Sequence, residues 1–181
     1  MQTVQLFKSY SAGRRDFSGV DFREAWMPGL ELNQAVLQGA DLTGSNLSHS
    51  SLREIDLTGA MLWRANLAHA QMQRAVFVRA TLIRCQLRHS DLQRCNLAEA
   101  DLRLADLRNT NLSYSNLNDV QLCYANLSGA NLRGVDLSTA DLTGAIIDGV
   151  DLASCRLTRN QAAALGVDIE HSSESGRMLA V

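Results

Sequence analysis

The sequence is poor in the residues that mark several large classes of protein. One proline and twelve glycines in 181 residues argue against a collagen-like or disordered chain. Four cysteines are too few for a disulfide scaffold. Aromatic residues make up only 5% and the formal net charge is −2, which argues against a nucleic-acid-binding protein, since these proteins use stacking residues and a basic surface.

Targeting segments and catalytic motifs are also missing from the sequence. No apolar run approaches the roughly 18 residues of a membrane helix, and the N-terminus lacks the pattern of a secretory signal, so we expect a cytoplasmic protein with reduced thiols. We find no nucleophile–base pair, phosphate-binding loop, dinucleotide fingerprint or metal motif. We therefore expect a protein that is not an enzyme and that has no cofactor, no metal site and no catalytic residue.

A large apolar residue recurs at every fifth position from Phe17 to Leu157, without insertion. Most of these residues are leucine and none is polar. A series of smaller residues, mainly Ala, Ser, Cys and Val, lies two positions before each of them. Asp or Asn usually stands between the two series, as at Asp41, Asn46 and Asp56.

A period of five fits neither an α-helix nor a long strand. Residues five apart rotate by about 140° around a helix and form no stripe, whereas a long strand requires alternation throughout. The pattern predicts two inward side chains separated by one outward side chain, followed by a two-residue corner. Such a unit lets the chain wind around a narrow apolar core.

Three units carry a family resemblance: Ala-Asp-Leu-Thr-Gly at 40–44 and 140–144, and Ala-Asn-Leu-Ser-Gly at 125–129. They resemble the pentapeptide-repeat family, whose consensus is A-(D/N)-L-x-x, and the lead-in at 10–17 resembles that of cyanobacterial members. The resemblance implies an all-β fold, a right-handed quadrilateral β-helix with four pentads in each coil. The repeat then makes about seven coils, and the rod is roughly 35 Å long at ~4.8 Å per coil.

The two ends of such a solenoid need covering, and each end has a candidate cap. Apolar residues at helical spacing before Gly13 predict an N-terminal helix, and a second helical pattern ends at Gly166. Trp26 is predicted to face outward and to pack under the first cap. The chain is thus divided into a capping helix with lead-in, the repeat, a second capping helix and a disordered tail, at 1–15, 16–157, 158–170 and 171–181.

Stacking of residues four pentads apart predicts an apolar patch on the middle coils. Met61 and Trp63 occupy outward positions that are usually polar, and Ile83 stacks next to Trp63. Val76 and Val78 lie outward on the adjoining side, one coil along. Exposed apolar patches often mark partner sites, whereas scattered apolar residues are also normal on protein surfaces. The patch is our candidate partner-binding site.

Arginines give the middle coils a positive charge. Between residues 60 and 115, eight arginines face Asp91, Glu99, Asp101 and Asp106, a net charge of +4, and acidic residues dominate on either side. Stacked ion pairs such as Glu54 with Arg74 and Arg79 with Glu99 are one interpretation, and an anionic partner is the other. The candidate basic band consists of Arg64, Arg74, Arg79, Arg84 and Arg94.

Three histidines and two cysteines are candidates for a chemical site. His49, His69 and His89 are predicted to stack at one corner, about 5 Å apart, in a parallel arrangement that suits a metal ion poorly. Cys85 and Cys95 are predicted to point inward as small hydrophobic residues. We therefore interpret the histidines as solvated and the buried cysteines as structural.

Three function hypotheses follow. The first is a protein–protein interaction or scaffold module with an unidentified partner, of a regulatory kind as the likeness to cyanobacterial members implies. The second, implied by other family members, is DNA mimicry directed at DNA gyrase, although mimicry needs a continuous negative surface that this chain lacks. The third is a structural rod that self-assembles, with a homodimer formed through a capping end. Direct nucleic-acid or membrane binding is not expected.

Overall fold

The computed structural model describes residues 3–166. It contains helix α1 at Thr3–Ser11, a 3₁₀ helix at Leu152–Ser154 and helix α2 at Arg159–Ala164. Between the helices, the coils are joined by isolated parallel bridges from Asp16↔Val36 to Asp136↔Arg156, each linking residues 20 apart. Four pentads therefore make one coil, and the predicted right-handed quadrilateral β-helix with short helical caps is confirmed.

The core is a column of stacked leucines with a column of small residues beside it. Leu57, Leu82 and Leu107 are fully buried, as are the small residues Ala65 and Ala125. Burial becomes incomplete in the last coil, where the side chains at the inward positions are only partly buried: Ala145, Ile147, Val150, Leu152 and Cys155. Each coil buries its apolar residues against its two neighbours, so the terminal coils depend on the caps.

Backbone hydrogen bonding explains why Asp or Asn lies between the two inward residues. In the pentad of Asp41, the Asp41 N–H donates to Val20 in the preceding coil, while Leu42 and Gly44 donate to the following coil. The remaining corner donor, the Thr43 N–H, has no carbonyl within reach of the ladder and donates to Asp41 Oδ1 at 3.0 Å. We call this an Asx contact: an Asp or Asn side chain accepts the backbone N–H two residues later. It recurs in most pentads that carry Asp or Asn, because it satisfies a backbone N–H that no carbonyl of a neighbouring coil accepts.

The corners are β-turns whose second central residue has a positive φ, the sign that a type II turn requires. Ala40 N–H, for example, donates to Leu37 O at 3.1 Å across a corner with Gly39 at φ 62°. Many corners nevertheless carry larger residues, such as Tyr124 at φ 58°. An L-residue in this conformation costs about 1–2 kcal/mol, so the ladder and core hold these residues in place.

Helix α1 covers the first coil through Leu6, which is 1% exposed, and through Tyr10, whose hydroxyl donates to Asn33 O at 2.9 Å. Arg15 lies over the Tyr10 ring at 4.0 Å. The prediction that Trp26 packs under this cap is wrong, since Trp26 is 74% exposed. Its side chain projects sideways from the first coil, at the outward position before Met27, whereas α1 covers the end of the core.

Helix α2 closes the other end. Thr158 and Gln161 form a capping box, and Gln161 Nε2 donates to Leu137 O at 2.8 Å and Ala140 O at 2.9 Å. Ala162 is buried against the last coils. The last part of the predicted cap, 167–170, and the predicted tail, 171–181, lie outside the described residues. No helix in the described chain has the length and apolar character that crossing a bilayer demands.

Candidate functional site

The rod presents four faces separated by four corners. The Trp63 face carries the outward residues of the pentads that begin at 21, 41, 61, 81, 101, 121 and 141. The corner that follows it, called the Arg84 corner, consists of Glu24, Gly44, Arg64, Arg84, Leu104, Tyr124 and Gly144. The diagonally opposite Arg94 corner consists of Gln34, Glu54, Arg74, Arg94, Tyr114 and Gly134.

The predicted apolar patch lies outward on the middle coils. Met61 is 45% exposed and Trp63 is 41% exposed, whereas Val76, Val78 and Ile83 are half-buried. Trp63 and Ile83 are consecutive on the Trp63 face, because Met61 bridges to Thr81 in the next coil. Val76 and Val78 belong to the adjoining face. The residues therefore form two neighbouring groups, and their role in binding stays a prediction.

Backbone donors distinguish this patch from most of the rod. Met61, Val76 and Thr81 replace the Asp or Asn of other pentads, so the Asx contact is not made. Among the described residues, the N–H groups of Trp63, Val78 and Ile83 have no hydrogen-bond partner. The pentads with Glu31, Val36, Gln71, Gln86, Gln121 and Ile146 share this lack, but none of them presents two apolar outward side chains as the pentads of Met61 and Val76 do.

The predicted basic band is divided among three corners. Arg64 and Arg84 share the Arg84 corner, Arg74 and Arg94 share the Arg94 corner, and Arg79 lies between the two on the corner that precedes the Trp63 face. Two of the five are paired as expected. Arg79 Nε lies 3.0 Å from Glu99, and Arg74 lies 3.7 Å from Glu54.

The other arginines of the band make no ion pair within residues 3–166. Arg64 instead lies over the Trp63 ring at 5.3 Å from its centroid. Arg84 follows Ile83 in the same way that Arg64 follows Trp63. The Trp63 face is therefore bordered by two consecutive cations, whose charges no neighbouring carboxylate neutralises.

Further along the Arg84 corner, the structure shows two exposed apolar residues that the sequence reasoning missed. Leu104 is 47% exposed and Tyr124 is 63% exposed. A Cβ placed on Gly144 would lie 2.6 Å from the Tyr124 ring, so Gly144 makes room for that ring. The sequence signal that could have identified them is a large apolar residue at a corner position, since Gly44 and Gly144 occupy the same column in other coils.

The histidine column is present as predicted. The ring centroids of His49 and His69 are 4.7 Å apart, and those of His69 and His89 are 5.1 Å apart. Loss of hydration lowers the pKa of His69, and the charges of His49, His89 and Arg88 lower it further. In the described part of the chain, no group of His, Cys, Asp or Glu has the arrangement of a metal site.

The cysteines are poorly suited to nucleophilic chemistry. Cys85 and Cys95 point inward, and burial raises the pKa of the Cys95 thiol to about 12. Cys123 is half-buried on the Trp63 face, where a hydrogen bond to Asp141 and partial burial raise its pKa. A thiol reacts as the thiolate, which these environments disfavour.

The stacked coils and the buried apolar column define a solenoid repeat protein. The residues that differ in charge and polarity from coil to coil lie on its outer faces and corners. A family model described as Pentapeptide repeats matches the chain in eight copies, over residues 16–53, 50–88, 90–126 and 124–159. The chain belongs to the pentapeptide-repeat family.

Several solved structures are similar to this chain. A trypsin-treated variant of QnrB1, a plasmid-mediated fluoroquinolone resistance protein, is 19% identical with a TM-score of 0.67, and the match covers 92% of this chain and 84% of QnrB1. HetL from Nostoc sp. strain PCC 7120, involved in heterocyst differentiation regulation, is 26% identical over 87% of this chain and 97% of HetL, with a TM-score of 0.30. Rfr23 from Cyanothece 51142 is 22% identical over 87% of this chain and 96% of Rfr23, with a TM-score of 0.39. A comparison with curated protein sequences finds no match.

Proposed function

We propose that this protein is a non-catalytic interaction module that binds a partner protein through the middle coils of the Trp63 face. One observation carries the proposal. Where most coils of this face present a hydrogen-bonded Asp, one middle coil presents exposed Met61 and Trp63, and the N–H of Trp63 has no partner among the described residues. Aromatic residues, Met and Arg are enriched in protein interfaces, and Trp and Arg are frequent hot spots.

The shape of the rod also favours binding over catalysis. Enzymes need a concave site with converging polar groups, whereas the interior here is filled by stacked side chains. A void in the first coils is lined by apolar residues that include Leu37, Leu42 and Leu47. The thiols of Cys95 and Cys123 have raised pKa values. Outward serines donate to the Asp or Asn of their own pentad, as Ser128 Oγ does to Asn126 Oδ1.

The test is affinity capture from the native host lysate, with the wild-type protein and a Trp63→Ala, Ile83→Ser double variant of equal thermal stability. Trp26→Ala is the matched control, because it removes a more exposed tryptophan from a different face. We expect a specific partner that wild type and Trp26→Ala retain and the double variant loses. A partner retained by all three would refute the patch as the site, and the absence of a specific partner would favour a structural rod.

DNA mimicry directed at DNA gyrase is the second candidate, and the shared fold with QnrB1 is the observation that favours it. The charge opposes it, because duplex DNA carries one negative charge per about 1.7 Å, whereas the middle coils here are positive. A gyrase supercoiling assay separates the two proposals. Inhibition at micromolar protein would support mimicry, and no effect would remove it.

Self-assembly through a capping end is the third candidate. Val4 and Phe7 on the outer side of α1 are 64% and 56% exposed, and they offer a small apolar contact. Light scattering of the purified protein tests it directly. A concentration-independent monomer would exclude this candidate, and a dimer that dissociates in a Phe7→Ser variant would support it.

A further inference from the structure

The Trp63 face lacks the usual Asp in three of its coils, at Met61, Thr81 and Gln121, and the first two of these coils are consecutive. Asp41 Oδ1 accepts the N–H of Thr43 at 3.0 Å, Asp101 that of Arg103 at 3.2 Å and Asp141 that of Thr143 at 3.0 Å. Met61 and Thr81 occupy the corresponding positions in the two coils between Asp41 and Asp101. No carboxylate within residues 3–166 therefore accepts the N–H of Trp63 or of Ile83.

Each of these two coils presents a pair of donors in consecutive residues. In one coil the unpartnered N–H of Trp63 is followed by the Arg64 guanidinium, and in the next the N–H of Ile83 is followed by Arg84. Neither arginine makes an ion pair within the described residues. On the same face, Asp101 accepts both the N–H and the guanidinium of Arg103, at 3.2 and 2.7 Å. A carboxylate of a partner would complete the same kind of contact in each coil.

Spacing along the rod selects the form of the partner. Leu62 N–H donates to Thr81 O at 2.7 Å, so the two coils are at strand-pairing distance, about 4.8 Å. An α-helix repeats one side of its surface every ~5.4 Å, whereas an extended chain does so every ~6.7 Å. From Arg64 to Tyr124, across four coils, the mismatch between the partner's repeat and the coil spacing adds up to about 2 Å for a helix and about 6 Å for an extended chain. A helix parallel to the rod axis fits better.

The next two coils of the Arg84 corner change from cationic to apolar. Leu104 and Tyr124 are exposed and follow Arg84 in the same column. A helix with two acidic residues one turn apart, followed by apolar residues in the next two turns, would match the order of the corner. Trp63 and Ile83 would contact its apolar flank.

We propose that the Trp63 face and the Arg84 corner bind an acidic amphipathic helix of a partner protein, with carboxylates one turn apart at Arg64 and Arg84 and apolar residues at Leu104 and Tyr124. The inference rests on the proposed function and specifies the chemistry of the partner. Charge complementarity and the two incomplete carboxylate contacts carry it.

The Arg94 corner provides an internal control. It carries a similar order of residues, Arg74, Arg94 and Tyr114, but Arg74 is paired with Glu54 at 3.7 Å. The face beside it is polar. Beside Arg94 the N–H of Gln93 donates to Asp91 Oδ1 at 3.1 Å, whereas beside Arg74 the N–H of Gln73 has no partner among the described residues. The proposal therefore assigns the helix to one corner and not to the other.

The test uses a fluorescein-labelled helical peptide of about 20 residues, with two Glu four positions apart and Leu in the next two turns of the same side. A second peptide has the same composition with the Glu and Leu distributed around the helix, and a third is a Pro-containing extended peptide with the same acidic and apolar residues. Fluorescence anisotropy measures binding to the full chain at two salt concentrations. Binding by the first peptide alone, weakened by salt, is expected.

Glycine variants remove the corner side chains without disturbing the backbone, because Gly44 and Gly144 already occupy this corner with a positive φ. Arg64→Gly with Arg84→Gly, and separately Leu104→Gly with Tyr124→Gly, are each expected to weaken binding about tenfold. The Arg94→Gly, Tyr114→Gly variant of the control corner is expected to bind as wild type does.

Three results would overturn the inference: no binding of the first peptide, equal binding of the scrambled or extended peptide, or equal losses from the two corners. The affinity capture described above distinguishes these failures from failure of the proposed function. A partner lost by the Trp63→Ala, Ile83→Ser variant but not displaced by the helical peptide would support the interaction module and refute the acidic helix. Displacement of that partner by the peptide would support both.

Discussion

Ser45 offers the sharpest test of how the core is stabilised. Its side chain is 0% exposed, and its hydroxyl is the buried side-chain oxygen without a hydrogen-bond partner in the described chain. The next coil has Ala65 at the stacked position, so the core accepts a methyl group there. Burying a hydroxyl without a partner costs about 1–3 kcal/mol by mutational measurements, and Ser45→Ala removes that cost with little change of volume.

We therefore expect Ser45→Ala to raise the free energy of unfolding by about 1–2 kcal/mol, which corresponds to a rise of roughly 2–8 °C in the melting temperature of a chain of this size. Ser115→Ala is the matched control with the opposite sign. The Ser115 hydroxyl donates to Leu92 O at 2.6 Å and accepts the Cys95 N–H at 3.0 Å. Its removal breaks both hydrogen bonds and leaves the Cys95 N–H with only its longer bond to Leu92 O at 3.2 Å, so it should destabilise the protein by about 1–3 kcal/mol.

Both variants would be measured by equilibrium urea unfolding followed by far-ultraviolet circular dichroism, with thermal melts as a second readout. Opposite signs for the two serines would support the assignment. Loss of stability in Ser45→Ala equal to that in Ser115→Ala would refute it, since this result would mean that the Ser45 hydroxyl has a partner in solution.

Three further predictions concern the histidines, the corners and the core. The folded-state pKa of His69 is lowered, so its contribution to stability is present above about pH 6.5 and is lost as the pH falls below that value. The H69N variant should therefore show a smaller change in melting temperature between pH 8 and 5 than the wild type, and an equal change would contradict this. Gly144→Ala should destabilise the wild type more than the Tyr124→Gly variant, because its Cβ would lie 2.6 Å from the Tyr124 ring; a double-mutant cycle by thermal melting with zero coupling would refute the contact. Leu102→Ala, at a position 1% exposed, should cost about 2–5 kcal/mol in urea unfolding, and a cost below about 1 kcal/mol would mean that the coil collapses around the cavity.

Much of the architecture could be predicted from the sequence because one local rule repeats. The unbroken apolar series from Phe17 to Leu157 specifies inward positions, and the coil length then places every outward residue. The histidine column and the pairs Glu54–Arg74 and Arg79–Glu99 were predicted in this way and are confirmed.

The candidate site was harder to predict, because exposure and contacts depend on neighbouring coils. Periodicity identified Met61 and Trp63 as outward, but it did not identify the exposed Leu104 and Tyr124 on the same side of the rod. It also placed Trp26 under the cap, because the reach of α1 is set by how Leu6 and Tyr10 pack on the first coil, and that contact is tertiary.

The sequence by itself determined the repeat, the inward and outward positions and the columns, because every pentad repeats the same order of inward, outward and corner residues without an insertion. Only the tertiary structure decided how exposed each outward side chain is and which arginines remain without a carboxylate among the described residues, because both depend on side-chain packing between neighbouring coils. Arg74 finds a carboxylate one coil earlier, whereas Arg64 and Arg84 find none, and that difference defines the proposed binding surface.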